Sequence, residues 1–184
     1  GLQHYRLGRD LELIIVDGNR RYGNGFLLPS GPLREGTWRL RQADYVIVNG
    51  GQAGANEIAM SLQGREVCNL VSGERVGVND FLTQQPKVNA VAGIGAPERF
   101  FNSLSRLGFS LARQAGFVDH HHYVEQDFAH FDAGLPLLMT EKDEVKCRAF
   151  AQENWWYLPV SANFEDKKIN RLMDDICRLA KKNI

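Results

Sequence analysis

Three histidines in succession, His120, His121 and His122, directly follow Asp119 in the stretch FVDHHHYV at 117–124. Imidazole titrates near neutral pH, so a histidine next to a carboxylate can pass a proton, bind a metal or face solvent in a polar turn. Metal sites collect ligands on one face, at i and i+2 of a strand or i and i+4 of a helix, whereas consecutive residues alternate faces. Only His120 and His122 can point together, and Asp119 is the one acidic neighbour. On pattern alone three readings stand open: a solvated turn, an Asp119 and His120 pair tuned for proton transfer, and a metal centre.

A second group of polar residues lies in LPSGPLRE, where Arg34 and Glu35 follow a rigid Pro-Ser-Gly-Pro frame. The planar guanidinium fork suits bidentate recognition of phosphate, and Arg39 and Arg41 follow on an expected helix that Thr37 would cap. A solvated Arg/Glu surface pair of little energetic consequence is the competing reading. TEKDEVK at 140–146 reads as a capping box, with Thr140 as N-cap and Asp143 at the third helical position, although such loops also recognise bases in some nucleotide-binding proteins. GIGAP at 93–97 lacks the G-x-G-x-x-G spacing, and no lysine follows a glycine anywhere, so this chain carries no phosphate loop of the G-x-x-x-x-G-K-[ST] kind.

These residues need elements to position them. Unbroken apolar runs at 11–17, 44–50, 89–95, 136–140 and 155–160 suit strands covered on both faces. Helical periodicity falls between them. PERFFNSLSRLG starts with Pro97 at a first helical position, carries Phe100, Phe101, Leu104 and Leu107 on one stripe, and ends at Gly108. The segment 164–182 repeats the pattern after Asn163 as N-cap. Strand and helix alternate, which predicts an α/β fold. The glycine-rich stretch 18–36, with Pro29 and Pro32, is too irregular for an element and too long for a bare connection, as binding loops are. A composition change in GGQAGAN at 50–56 suggests a domain boundary.

At 184 residues, 43% hydrophobic and with 22 basic against 22 acidic residues, the chain fits a folded protein whose bulk charge asks for no nucleic acid. Cys68, Cys147 and Cys177 are odd in number and lack a C-x-x-C pair, which argues against a disulfide framework or structural zinc and for a reducing compartment. No apolar run approaches the roughly 20 residues that cross a bilayer, so a soluble chain is expected. It opens GLQHYRLGRD without a methionine, as a piece of a longer protein would.

Several stretches together resemble the tetraacyldisaccharide 4'-kinase family of lipid A biosynthesis. They are GLQHYRL, VDGNRRYGNGFLLPSGPLRE, VIVNGG, AVAGIGAPERFF, FVDHHHY, LLMTEKDEVKC and WWYLPV, in family order over nearly the whole chain. In that family the polypeptide is about twice as long. Its first half resembles a P-loop kinase domain with a membrane-associating segment, and an acidic pair that holds magnesium stands just before the motif that opens this chain.

The resemblance implies transfer of the ATP γ-phosphate to the 4'-hydroxyl of a tetraacylated disaccharide 1-phosphate, giving lipid IVA, at the cytoplasmic face of the bacterial inner membrane, with ATP and magnesium as cofactors. It assigns His120, oriented by Asp119, to assist a carboxylate of the missing half in accepting the hydroxyl proton. It gives Arg34 and Glu35 to the sugar headgroup or its 1-phosphate and puts Gln3 and His4 close to the reacting phosphate. Asn49 and Gly50 end a strand where parallel sheets place ligands. Metal ligands are expected in the missing half and none in this chain.

The fold expected is an α/β/α sandwich: the remainder of a P-loop kinase core with its substrate loop in 1–52, and a smaller α/β lobe in 53–184 whose last helix returns to the core. Two other functions stay in view. One is a non-catalytic α/β module that binds a phosphorylated sugar lipid or nucleotide. The other is a metal-dependent hydrolase using Asp119 and His120. The isolated chain is expected to be inactive as a kinase.

Overall fold

The structure is a computed structural model and describes residues 3–182. In chain order the elements are β1 (Leu13–Asp17), β2 (Tyr45–Asn49), β3 (Ile58–Gln63), β4 (Glu66–Asn69), β5 (Arg75–Gly77), α1 (Val78–Gln84), β6 (Lys87–Ala92), α2 (Pro97–Leu107), β7 (Ser110–Gly116), β8 (Leu137–Thr140), α3 (Glu141–Cys147), β9 (Trp155–Leu158), β10 (Ser161–Asn163) and α4 (Lys168–Lys182). Short 3-10 turns cover Thr37–Arg41, Glu125–Phe128 and Arg148–Phe150. The chain divides into two compact units, one running up to Gln63 and resuming at Ala162, the other Gly64–Ser161. The division falls after Gln63 rather than after 52, and α4 belongs with the first unit.

In the first unit, β1, β2 and β3 pair in parallel, with β10 beyond β3. Ile47, Ile58 and Leu172 form its core, so α4 is fixed to the sheet by the apolar stripe that its sequence shows. That helix starts at Lys168 instead of 164, because Asn163 is drawn into β10 and Asp166 supplies the cap by accepting from the Lys168 amide at 2.9 Å. The segment 18–36 forms no helix or strand, only a bridge between Leu27 and Leu33. Thr37 opens a 3-10 turn and caps nothing: Gly36 stands at the cap position, without a side-chain bond.

The second unit is a six-stranded sheet in the order β5-β4-β9-β8-β6-β7. Strands β9, β8, β6 and β7 run parallel, and the β4–β5 hairpin is antiparallel to β9. Side chains of the parallel strands alternate between two cores. Val88, Ala90, Leu138 and Leu158 face α2 and its Phe100, Phe101 and Leu104, while Val91, Leu137, Met139 and Trp155 face Tyr123, Phe128 and Cys147. Burial on both faces is why β6, β8 and β9 read as unbroken apolar runs, whereas the edge strand β7 does not. Gly108 closes α2 at φ 106, a left-handed conformation in which glycine has no Cβ penalty.

Leu104 is fully buried between α2 and the sheet, so Leu104→Ala is expected to destabilise the second unit by about 2–5 kcal/mol. Urea unfolding followed through Trp155 and Trp156 measures this, and a cost below about 1 kcal/mol contradicts the packing described.

Candidate functional site

The first unit holds a cavity of about 470 Å³ along β1. Gln3, His4, Asp17, Arg21, Arg34 and Glu35 supply its polar lining. Asp17 ends β1, and its carboxylate accepts the Asn19 and Arg20 amides at 3.0 and 3.1 Å, which turns the chain sharply out of the sheet. Beside it the Gly18 amide donates to the Asn49 carbonyl at 3.0 Å, and a Cβ on Gly18 would overlap the Gly50 carbonyl. Glycine is therefore required where the ends of β1 and β2 close on each other. Asn49 is paired with Asp17 across the two strands, so Asn49 and Gly50 stand at the carboxyl ends of parallel strands next to a cavity residue without lining the cavity themselves.

Arg39 holds the loop that brings Arg34 and Glu35 to the cavity. It donates to Glu12 at 2.7 Å and lies 3.4 Å from Glu35. Tyr5 donates to the other Glu35 oxygen, Arg9 pairs with Glu12, and Arg9 also donates to the His4 carbonyl at 2.7 Å. The two arginines, Arg39 first, hold the Glu12 carboxyl below its ordinary range, and the bond to Glu35 raises the Tyr5 hydroxyl. Glu35 is thus engaged by Arg39 and Tyr5, not by Arg34. Among the described residues Arg34 has no hydrogen bond or ion pair, and it is exposed. Arg21, at φ 49, is gripped by both Glu57 oxygens at 3.0 to 3.1 Å. The cavity therefore offers one unpaired guanidinium in a wall of paired ones, a site for an anion.

Asp119 and His120 belong to the second unit, after β7. The His120 amide donates to Asp119 at 3.1 Å, and the ring Nε2 lies 3.8 Å from the other carboxylate oxygen. His120 is 80% exposed on its side chain and sits at φ 63, a conformation unfavourable for a residue with a Cβ. The firmer partner of Asp119 is Lys142, at 2.7 Å, whose ammonium is the first cause of the lowered Asp119 pKa. Sequence spacing gives no sign of this contact, since 23 positions separate the two residues.

Thr140 caps α3 as the capping-box reading requires, accepting the Asp143 amide at 3.2 Å. Asp143 does more than that motif reveals. Fully buried, it accepts the Gly93 amide at 2.9 Å and the Thr140 hydroxyl at 2.7 Å, tying the loop after β6 to the loop after β8. Gly93 has no room for a side chain, because a Cβ there would strike the Tyr123 hydroxyl. Burial raises that hydroxyl's pKa and pushes the Cys147 thiol up to about 12, so both stay protonated.

His121, given no chemistry by the sequence, pairs with Asp127 at 2.9 Å and stacks on Phe117 with ring centroids 4.5 Å apart. The two constellations are thus a cavity in one unit and a turn in the other. Among the described residues no three His, Cys, Asp or Glu side chains form a group able to hold a metal ion.

A family model described as "Tetraacyldisaccharide-1-P 4'-kinase" matches residues 1–178. A tetraacyldisaccharide 4'-kinase of Colwellia psychrerythraea is 53% identical over 180 residues, covering 95% of this chain and 52% of that protein. One of Shewanella frigidimarina is 49% identical, over 98% of this chain and 52% of its own length. Among solved structures, a crystal structure of the "apo" form of LpxK from Aquifex aeolicus in complex with ATP is similar with a TM-score of 0.70 and 26% identity. It covers 97% of this chain and 55% of that one. The chain spans about half the length of the curated relatives it matches.

The Asp127 pKa is lowered, first by the Val124 amide and then by His121. A carboxyl depressed in the folded state stabilises it above the ordinary Asp value near 3.9, and this contribution is lost as pH falls through the depressed value. Asp127→Asn is expected to lower the urea midpoint at neutral pH and to flatten its decline between about pH 5 and pH 2. A variant with the parent's acid limb would contradict the pairing.

Proposed function

Because the chain belongs to the tetraacyldisaccharide-1-phosphate 4'-kinase family, we propose that it forms the substrate-side half of an enzyme that phosphorylates the 4'-hydroxyl of a tetraacylated disaccharide 1-phosphate from ATP, yielding lipid IVA. The observation that carries this is the cavity with an unpaired Arg34. Its planar fork takes a phosphate monoester bidentately, and the neighbouring arginines are already neutralised, so Arg34 alone sets the anion's position. Glu35, clamped by Arg39 and Tyr5, orients the loop and offers an acceptor to sugar hydroxyls.

Phosphoryl transfer depends mostly on positioning and charge neutralisation, with modest proton chemistry. Gln3 and His4 line the same cavity as Arg34 and are proposed to face the reacting phosphate, with Asn49 and Gly50 closing the adjoining strand ends. Asp119, held as a carboxylate by Lys142, lies beside His120 and is proposed to orient it for proton removal from the hydroxyl.

Magnesium, when bound with ATP, neutralises phosphate charge. Among the described residues no three His, Cys, Asp or Glu side chains form a metal-holding group, and the magnesium ligands are proposed to lie in the part of the relatives that this chain does not span. No helix among the described residues is long and apolar enough to cross a membrane, and peripheral attachment at the cytoplasmic face of the inner membrane is proposed for the whole enzyme. With no G-x-x-x-x-G-K-[ST] loop, the 184 residues alone are proposed to bind without turnover.

An ATP-to-lipid phosphorylation assay on this chain, and on the chain joined to the remaining half of its relatives, tests the proposal. In the joined protein Arg34→Ala is expected to raise KM about 10- to 100-fold with a smaller change in kcat. His120→Ala is expected to lower kcat by about 100-fold or more at unchanged stability. An unchanged KM in Arg34→Ala, or an unchanged kcat in His120→Ala, removes that residue's role.

A further inference from the structure

The loop that supplies Arg34 also carries a feature that the phosphoryl-transfer reading leaves unused. Phe26, Leu27 and Leu28, consecutive in sequence, are 62%, 48% and 60% exposed, and Trp38 is 52% exposed. These side chains do not belong to a strand awaiting a partner. The Leu28 amide donates to the Leu33 carbonyl at 2.8 Å, the Leu33 amide to Phe26 at 3.2 Å, and the Gly31 amide to Leu27 at 3.0 Å. Asn24 closes the turn by donating to the Ser30 carbonyl at 2.9 Å and accepting the Phe26 amide at 3.1 Å. These bonds close the turn on itself and leave its apolar side chains exposed at the tip.

The charge around the tip is one-sided. From 18 to 42 the chain has five arginines and a single acid, Glu35, in a protein whose 22 basic and 22 acidic residues cancel. Arg21 and Arg39 are consumed by Glu57, Glu12 and Glu35. Among the described residues the guanidinium groups of Arg20, Arg34 and Arg41 are exposed and have no carboxylate partner. An exposed apolar tip, in a stretch of chain that also carries an exposed tryptophan and three unpaired arginines, has the chemistry of a segment that sits in the headgroup region of an anionic bilayer. An acidic protein surface matches the arginines but not three adjacent apolar side chains.

We propose that Phe26, Leu27 and Leu28 insert into an anionic lipid surface, with Trp38 at the interface and Arg20 and Arg41 on the headgroup phosphates. This rests on the membrane-surface part of the reading above and names the surface that makes the contact. The same loop then leads from the bilayer into the cavity, since Leu33 bridges to Leu27 and lines the cavity with Arg34 and Glu35. A lipid-borne phosphate would meet Arg34 while its acyl chains stay at the membrane.

Flotation with vesicles of equal parts phosphatidylcholine and phosphatidylglycerol, without ATP or substrate, tests the proposal on this chain and on the chain joined to the remaining half of its relatives. Both are expected to float with these vesicles and much less with pure phosphatidylcholine. The combined Phe26→Ser, Leu27→Ser and Leu28→Ser substitutions should weaken binding about tenfold or more. Arg20→Gln with Arg41→Gln should weaken it about tenfold and reduce its salt dependence. Brominated acyl chains should quench the parent's fluorescence, and Trp38→Phe should abolish most of that quenching. Circular dichroism and urea midpoints show whether each variant is folded.

Triple-serine binding equal to the parent's, in either protein, overturns the proposal. So does binding that ignores the anionic lipid and the arginines, the result expected if the tip is instead covered by the remaining half or by a protein partner. Loss of kinase activity with vesicle binding intact removes the proposed reaction and leaves the lipid surface standing.

Discussion

Arg39 between two carboxylates is the contact on which the first unit's site depends. The segment from Gly18 to Gly36 has no helix or strand to hold it, and a long irregular connection would ordinarily be free to move. Arg39 prevents this by donating to Glu12 on one side and pairing with Glu35 by charge on the other, while Tyr5 donates to the other Glu35 oxygen and Arg9 ties Glu12 to the His4 carbonyl. Lone surface ion pairs contribute little, but a chain of them sharing partly buried partners fixes geometry at several points together. The geometry fixed is that of an unpaired arginine, Arg34, presented to a cavity whose other arginines, Arg21 and Arg39, are paired.

In the second unit a single buried carboxylate has the corresponding position. Asp143, in the first turn of α3, ties that helix to the loop that follows β6, so it stands where β6 and β8, the two neighbouring strands at which the sheet order changes direction, end. Parallel sheets bind ligands at such a point because the chain leaves it on both sides and opens a crevice. Lys142, one residue before Asp143, is thereby placed to hold Asp119, and Asp119 in turn borders His120. The exposed candidate at the end of this series is thus linked, through half-exposed Asp119 and Lys142, to a fully buried anchor.

What the sequence makes legible follows from how each element is stabilised. The apolar runs leading to β2, β6, β8 and β9 are visible because each of those strands lies inside a sheet and carries a core, and the stripe of α2 is visible because it packs on one face; β1 shows the same run although it stands at the edge of its sheet with Leu13 and Ile15 exposed. The strands β4, β5, β7 and β10 are not legible. They are short or lie at sheet edges, mix polar with apolar residues and exist through ladder bonds that composition does not encode. The same limit explains Asn163, a good N-cap by type that the sheet claims first. Among site residues, Arg34 and Glu35 are legible as a pair but not in their division of labour, because what neutralises Glu35 is Tyr5 and Arg39. Lys142 and Asp127 are set beside their partners by tertiary folding alone, and no periodic pattern reports such contacts.

A balanced net charge, taken for the whole chain, argues against any strongly charged partner, and locally that inference fails. Neutrality here is a sum over regions of opposite character, and between Gly18 and Gln42 arginine outnumbers acid five to one. What decides whether such an excess can act on a ligand is how many of its members are already paired. Two of the five are consumed in holding the loop. The remaining three are split between a cavity and a surface: Arg34 lines the space along β1, and Arg20 and Arg41 are exposed to solvent. A loop built this way can meet one class of ligand, a phosphate carried on an apolar body, at both of its ends, because the unpaired charge recognises the phosphate while the exposed leucines and phenylalanine accept the rest.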